Sequence, residues 1–540
     1  MLWRRWRLSA PTREHRTRDA KGWAPSLRNE QQPTCKPWKS DPVSESNPIQ
    51  RLLICNRGEI AVRICRTARA MGIPTVGVFS SVDRNAFHTR YVDQAVELPG
   101  EDPRGAYLDM DAILEIAAEH NCDAIHPGYG FLSENADFSE RCKQAGVRFV
   151  GPAADTIRDM GGKIRARELM KEANVPVIPG IDAGDDDALI KGAQDVGYPL
   201  LVKASAGGGG KGMRRVEAPE ELAEALAAAR REAAGSFGDA TVYLEHLVRP
   251  ARHIEVQILG DTHGNVVHLG ERDCSAQRRY QKVVELAPAP ELPDDVRTAL
   301  CEAAVQAAKA VNYVGAGTVE FVLGPDNSFY FLEMNTRLQV EHAITEEVFG
   351  VDLVKAQLEV AAGQPLRFSQ DDLVGRGCSV ECRIYAEDPA AGFLPAPGHL
   401  VSFVMPSGAG IRFDTGVQSG DTISADYDPM IAKLICTAGD REAALSLTEQ
   451  TLRETVILGT KTNLVFLADL VAAMKETTVD TQYIEREMAD WQAQSELSDR
   501  IYGVAAVFDA LESGGRATGS GSDDTDLYSP WRPGAVKGRA

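Results

Sequence analysis

Several things are scarce or missing in this 540-residue chain. No apolar run approaches the roughly 20 residues that a membrane-spanning helix needs, so no membrane span is expected. Basic charge is in short supply: 58 Lys and Arg stand against 78 Asp and Glu, a net charge of −20. That balance argues against a general nucleic-acid binder. The ten cysteines form no CxxC pair and no regular spacing, which argues against a disulfide framework or a zinc site and for reduced thiols in a cytosolic-type compartment. No GxGxxG follows the first strand-like segment, so no dinucleotide site is expected there. The glycine run at residues 207–213 fails the GxxxxGK[ST] pattern of a P-loop.

What is present is ordinary globular sequence, 44% hydrophobic and 25% charged, long enough for two to four domains with substantial cores. The charge is uneven. Residues 1–48 hold 10 Lys/Arg against 5 Asp/Glu and four of the six tryptophans. Without sustained periodicity, this segment reads as a disordered N-terminal extension. It lacks the apolar core of a secretory signal, and its acidic residues weaken a transit-peptide reading. From Ile49 the order strand, helix, strand recurs through RLLIC, GEIAVRICRTARAMG, PTVGVFS, CDAIHPG, FSERCKQAG and VRFVGP. That alternation predicts a parallel, doubly wound sheet to about residue 150. IRDMGGKIRARELMKEANV predicts one helix, and an α+β region follows, with PLLVKAS its clearest strand and ELAEALAAARREAA its clearest helix. From about 379 short strands and turns predominate, and the Gly/Ser/Asp-rich end reads as a flexible tail over 491–540.

EMNTRLQVEH, residues 333–342, places Glu333, Asn335, Arg337, Gln339 and Glu341 on every second position. That is the period of a strand, with these groups on one face for as long as the chain stays extended. Upstream, VEFVLGPDNSFYFLEMN reads as a β-hairpin. A turn centred on Asp326 and Asn327 would set Glu320 opposite Glu333. Two opposed carboxylates repel, and if buried they call for a cation between them. With the Asn335 amide, hard oxygen ligands suit Mg²⁺ or Mn²⁺. The alternative is an exposed edge hairpin with its carboxylates in water.

PLLVKASAGGGGKGMRRV carries four consecutive glycines between strands, with Lys203 before them and Lys211 directly after them in the same loop. Glycine lets backbone N–H groups approach phosphate oxygens, so this segment reads as a flap over nucleotide phosphates. A phosphate flap, paired carboxylates on a hairpin and a preceding parallel domain resemble the ATP-grasp layout. NRGEIAVRI, HPGYGFLSEN, KASAGGGGKGM, ERDCSAQRRYQKVVE, EMNTRLQVEH, VECRIYAED and DYDPMIAKLI resemble, in order, the motifs of biotin carboxylase, from about Arg51 to about Met488.

The resemblance implies a biotin carboxylase N-terminal, Rossmann-like domain over 49–165, and an ATP-grasp domain over 166–378 with a mobile lid at about 179–250. It implies a mostly β C-terminal domain over 379–490. The reaction it implies uses ATP to activate bicarbonate as carboxyphosphate and then carboxylates biotin on a separate carrier protein, the first half-reaction of an acyl-CoA carboxylase. By the family pattern Lys163, Lys203, Gly209, Gly210, His253 and Gln277 contact ATP, and Glu245, His246, Leu247 and Val248 line the adenine pocket. Glu320, Glu333 and Asn335 match the ligands of Mg²⁺ or Mn²⁺, two ions being expected. Lys282, Arg337, Gln339 and the backbone of Val340 match the bicarbonate site, Glu341 the base, and Arg383 the residue that stabilises the biotin enolate. Implied partners are the biotin carboxyl carrier protein, a carboxyltransferase subunit and a second copy of the chain, with no nucleic acid or membrane. A cytoplasmic location is expected, with the mitochondrial matrix as the alternative. Two positions depart from the family pattern, Ala343 where proline is usual and Tyr280 where histidine or asparagine is common.

The chain itself should carry no biotin. Its two Met-Lys pairs, Met170-Lys171 and Met474-Lys475, sit in helical runs, with Leu464, Leu467, Val471 and Met474 at helical spacing. Another ATP-grasp ligase, or a catalytically silent nucleotide-binding subunit, are the alternatives, separated by bicarbonate-dependent ATP cleavage.

Overall fold

The computed structural model describes residues 47–182, 184–205 and 213–493. The expectations for residues 1–46, for Gly209, Gly210 and Lys211, and for the tail from 494 onward lie outside the described residues.

The first region alternates as its sequence does: β1 (Leu52–Ile54), α1 (Gly58–Ala70), β2 (Thr75–Phe79), β3 (Gln94–Glu97), α2 (Pro103–Ala106), α3 (Met110–Glu119), β4 (Ala124–His126), α4 (Ala136–Gln144) and β5 (Arg148–Phe149). The strands form a parallel sheet in the order β3-β2-β1-β4-β5. β1 is buried throughout, as a central parallel strand covered on both faces must be. Asp109 and Asn135 cap α3 and α4 by accepting from backbone N–H groups of the first turn.

The single helix expected over 157–175 is two, α5 (Ala154–Gly161) and α6 (Lys163–Glu172). The Gly161-Gly162 pair explains the break, because glycine is a poor helix former and Gly162 adopts an extended conformation (φ −90°, ψ 106°). Lys163 therefore opens a helix instead of lying inside one.

Next come β6 (Gly180–Ile181), α7 (Asp186–Val196), β7 (Leu200–Ala204), β8 (Arg214–Val216), α8 (Pro219–Phe237) and β9 (Val242–His246). Their strands make a small antiparallel sheet, β6-β9-β7-β8, on which α7 and α8 pack. Strands flank the glycine run on both sides, as read from the sequence.

β10 (Arg252–Gly260), β11 (Val266–Arg278), β12 (Gln281–Ala287), α9 (Asp294–Ala310), β13 (Gly315–Leu323) and β14 (Phe329–Asn335) follow, then α10 (His342–Phe349), α11 (Leu353–Ala361) and β15 (Cys378–Tyr385). Short strands β16 (Glu387–Asp388), β17 (Leu394–Pro395), β18 (Gly398–His399) and β19 (Ser402–Val404) lead to β20 (Ile411–Thr415), β21 (Thr422–Ile423) and β22 (Met430–Ala438). The described chain closes with α12 (Arg441–Glu454), β23 (Val456–Leu458), α13 (Leu464–Glu476) and α14 (Tyr483–Glu487).

One antiparallel sheet runs β14-β13-β10-β11-β12-β15-β22-β20, so strands from beyond residue 378 continue the sheet built before it. Its two faces differ. Ile254, Val256, Ile258, Val319 and Phe321 pack against Met160, Met170, Leu300 and Ala304 of the covering helices. Farther along, Val380, Cys382, Leu434 and Cys436 pack against α12 and α13. Many alternate residues on these strands, among them His253, Glu255, Gln257, Glu320, Glu381, Arg383 and Lys433, are charged or polar and face the other way. The core thus fixes which face the chemistry occupies. On α13, Leu464, Leu467, Val471 and Met474 are buried, and the Lys475 ammonium lies 2.7 Å from Glu449 Oε2 on α12.

Candidate active site

The opposed carboxylates exist, by a route the sequence did not show. At the turn, Leu323 pairs with Phe329 and Phe321 with Phe331, a register that would set Glu320 opposite Leu332. A one-residue bulge at Leu332 shifts it, and Glu320 pairs with Glu333. On the other side of β13, Glu320 pairs with Glu255, which pairs in turn with Arg272. A row of four charged residues thus crosses β14, β13, β10 and β11.

The chain stays extended only to Asn335. His342 Nδ1 then lies 2.8 Å from the Gln339 carbonyl oxygen, closing a turn that makes Glu341 the residue preceding α10. Burial holds the His342 ring well below its ordinary pKa, with nearby Lys433 and Arg63 adding to the shift. The ring is therefore neutral and structural. The turn brings Glu341, fully buried, back over the charged face. Ala343 sits in the first turn of α10, packed among Ala287, Ile344, Val348 and Ile435.

Lys282 is the hub. Its Nζ lies 2.5 Å from Glu255 Oε2, 2.9 Å from Glu320 Oε1 and 2.7 Å from Glu341 Oε1. Burial alone would lower its pKa, but the three carboxylates hold it well above the ordinary lysine value. The second Glu341 oxygen accepts from Arg383 Nη2 at 2.9 Å, and Arg383 Nε donates to Glu285 Oε1 at 2.6 Å. Burial would raise the Glu341 carboxyl, but Lys282, Arg383 and Arg272 together hold it well below the usual carboxylate range.

Glu320 Oε1 also accepts from Asn335 Nδ2 at 2.9 Å and Gln339 Nε2 at 2.8 Å, and His253 Nε2 lies 2.9 Å from its other oxygen. Burial would lower the His253 imidazole, but Glu320 raises it. Gln277 Nε2 lies 2.8 Å from His253 Nδ1. Among the described residues no ion pair reaches Glu333. Burial and the Glu320 charge raise its carboxyl, with Lys163 and Lys203 pulling the other way.

Arg337 does not reach Glu341. Its Nε donates to Glu134 Oε2 at 2.9 Å and its Nη2 to Asn335 Oδ1 at 3.0 Å. Lys203 is buried, 2.8 Å from Glu245 Oε2, whose other oxygen accepts from Arg167 at 2.6 Å. The Glu245 side chain is therefore the counter-charge of Lys203. His246 Nδ1 lies 3.2 Å from the Gly197 carbonyl oxygen, and the Leu247 N–H donates to the Pro199 carbonyl. A Cβ on Gly324 would lie 3.4 Å from a Val248 methyl. Tyr280 is exposed at the tip of the β11–β12 turn, where it and Arg279 both have positive φ.

Glu255, Arg272, Cys274, Glu285, Glu134 and Arg167 escaped the sequence reading. For one of them a signal was there: His253, Glu255 and Gln257 alternate with Ile254, Val256 and Ile258, the same rhythm as in 333–341.

A divalent cation fits these donors. Glu320 and Glu333 are opposed hard oxygen ligands with the Asn335 amide beside them. Among the described residues, His253–Glu255–Glu320 and Glu255–Cys274–Glu341 each bring possible ligand atoms within 4.8 Å of one another. Only Glu320 is common to these and the expected set.

Three family models match in succession: the biotin carboxylase N-terminal domain over residues 48–157, the carbamoyl-phosphate synthase L chain ATP-binding domain over 162–369, and the biotin carboxylase C-terminal domain over 381–486. Biotin carboxylase 2 of Bacillus subtilis is 48% identical over 442 residues, 81% of this chain and 99% of that protein. The mitochondrial methylcrotonoyl-CoA carboxylase subunit alpha of Rattus norvegicus is 47% identical over 468 residues, 85% of this chain but 66% of its own length. The chain thus spans about two thirds of that larger subunit. A solved biotin carboxylase domain dimer of Hydrogenobacter thermophilus 2-oxoglutarate carboxylase, in complex with MgADP, ADP and bicarbonate, superposes with a TM-score of 0.79 at 42% identity. It covers 82% of this chain and 98% of that one. The β-γ-ATP complex of Campylobacter jejuni biotin carboxylase gives a TM-score of 0.78 at 43% identity, covering 81% and 99%.

Proposed function

The chain belongs to the biotin carboxylase family, and on that premise we propose how its residues divide the work of carboxylating biotin with ATP and bicarbonate. Relatives of matching length include biotin carboxylases, and the reaction class is an ATP-dependent carbon–nitrogen ligation. The family works with a biotin carrier and a carboxyltransferase. We assign this chain to the first half-reaction of an acyl-CoA carboxylase, with biotin on a separate carrier and a second copy of the chain as its dimer partner. No described helix is long and apolar enough to cross a membrane.

The observation that carries the assignment is the position of Glu341. It is buried between Lys282 and Arg383, on the face that also holds the Glu320–Glu333 pair. Lys163 and Lys203 supply positive charge for the ATP phosphates, and Glu245 keeps Lys203 charged in its buried setting. Gly209 and Gly210 would contact those phosphates, and Glu245 to Val248 border the adenine. Glu320, Glu333 and Asn335 would hold Mg²⁺ or Mn²⁺, which when bound neutralises charge on the transferring phosphoryl group.

Arg337, Gln339, the Val340 backbone and Lys282 form the bicarbonate site. A planar guanidinium matches a planar anion. Glu341 takes the bicarbonate proton, and the resulting oxyanion attacks the γ-phosphorus as the bond to ADP breaks, giving carboxyphosphate. A carboxylate clamped by two cations is a weak base. Glu341 therefore becomes effective when the substrates draw Lys282 and Arg383 onto their own charges. Arg383 then faces the ureido oxygen of biotin as it gains charge, a contribution of about 10²–10³ in rate for such a donor.

Two variants separate these roles. Glu341→Ala should abolish bicarbonate-dependent ATP cleavage. Arg383→Ala should retain much of it and lose carboxybiotin formation. Equal loss of both activities in both variants would refute the division.

A further inference from the structure

Lys433 lies in DYDPMIAKLI, a motif to which the mechanism above gives no role. It is fully buried on β22, paired with Arg383 on β15 and with Asp414 on β20. Its ammonium makes its shortest contact with a neutral atom, donating to the carbonyl oxygen of Val340 at 2.7 Å. Its carboxylate neighbours are farther away, Glu59 Oε1 at 3.3 Å and Asp414 Oδ2 at 4.0 Å. A buried ammonium needs counter-charge, which these two supply together with the nearby buried Glu381. The hydrogen bond goes to the loop.

The Val340 carbonyl belongs to the peptide unit that ends at the Glu341 Cα. This stretch lies between the end of β14 and the start of α10, where no ladder bond fixes the plane. Glu59 is tied on by a second bond, from the Tyr129 hydroxyl to its Oε1. Residues of NRGEIAVRI, HPGYGFLSEN, EMNTRLQVEH and DYDPMIAKLI therefore meet at one buried ammonium.

We propose that Lys433 is a positioning residue for the bicarbonate site, fixing the peptide plane between Val340 and Glu341 so that the anion contacts and the base keep their alignment. This rests on residues 337–341 being that site. Lys433 touches no substrate and acts through the Val340 carbonyl.

The test is steady-state kinetics of bicarbonate-dependent ATP cleavage by the full chain, comparing Lys433→Met with Lys433→Met/Glu59→Gln. The second variant also removes a counter-charge, so that no extra buried anion opposes folding. Both should raise the KM for bicarbonate by about 10-fold or more, as the loss of a hydrogen bond from a charged donor implies. The KM for ATP should stay within about twofold, because the lost contact serves only one substrate. Unchanged bicarbonate KM in a folded variant, equal rises in both KM values, or failure of both variants to fold would overturn the proposal. Absence of bicarbonate-dependent cleavage in the wild type would instead remove the reading on which it rests.

Discussion

The opposed pair Glu320–Glu333 allows one chemical change to be made on either side of the same sheet contact, with opposite consequences. The carboxylates face each other across β13 and β14, where opposed side chains lie about 5 Å apart. At an effective dielectric of about 20 their repulsion is about 3 kcal/mol. Glu320 is compensated by Lys282 and His253, each 2.9 Å away, and by two amides. Among the described residues Glu333 has no ion-pair partner, and the cations that lower its carboxyl, Lys163, Lys203 and His253, act from farther away. Without metal, Glu333→Gln therefore removes repulsion and little attraction, and should stabilise the fold by about 1 kcal/mol, or about 1 °C in Tm for a folded chain of this size. Glu320→Gln strips Lys282 and His253 of a buried partner and should cost about 3 kcal/mol or more. The pH dependence has a definite sign. The Glu333 carboxyl is raised above its ordinary 4.5, so the folded protein holds that proton more tightly than the unfolded chain. Wild-type stability on this account falls as pH rises above 4.5, and the advantage of Glu333→Gln is larger at pH 8 than at pH 5. The assay is thermal unfolding in EDTA at both pH values, repeated with MgATP, whose stabilisation should be lost in both variants. Equal destabilisation by the two variants in EDTA, or full retention of the MgATP effect, would refute the reasoning.

Two further outcomes concern Asp414 and Lys475. Asp414→Asn should destabilise the fold by about 3 kcal/mol at pH 7, since burial would raise this carboxyl but Arg412 and Lys433 pull it far down. A depressed carboxylate stabilises fully above its ordinary 3.8 and loses that contribution as pH falls, so the melting gap should be constant from pH 8 to 5 and narrow only below about 4. Lys475 should take no biotin, because it lies on α13 paired with Glu449 and not at the tip of a hairpin; a strong avidin band mapping to it after co-expression with biotin ligase would contradict this.

The parallel sheet and the apolar faces of the long strands were legible because each is a periodicity within one segment. The Glu320–Glu333 pairing was read correctly from an assumed turn, yet the actual turn is offset and the Leu332 bulge restores the register. Bulges leave no local signature here. The helix before the flap was read as one because hydrophobic spacing carries across Gly161-Gly162. Motif resemblance named Lys282 and Arg383 but not their partners. Glu255, Glu285 and Arg272 reach the site through ladder register between strands, a long-range fact that spacing within one strand does not encode. The buried meeting of Glu59, Tyr129, Val340 and Lys433 is of the same kind, since its members are scattered across the chain.

The central claim is that the Lys282–Glu341–Arg383 cluster carries ATP-driven carboxylation of biotin, and its most direct test is the fate of labelled bicarbonate. Purified chain with MgATP, free biotin and ¹⁴C-bicarbonate should form acid-labile labelled carboxybiotin, with ATP cleavage that depends on bicarbonate and rises with biotin. ATP cleavage indifferent to bicarbonate, with no label on biotin from well-folded protein, would contradict the account.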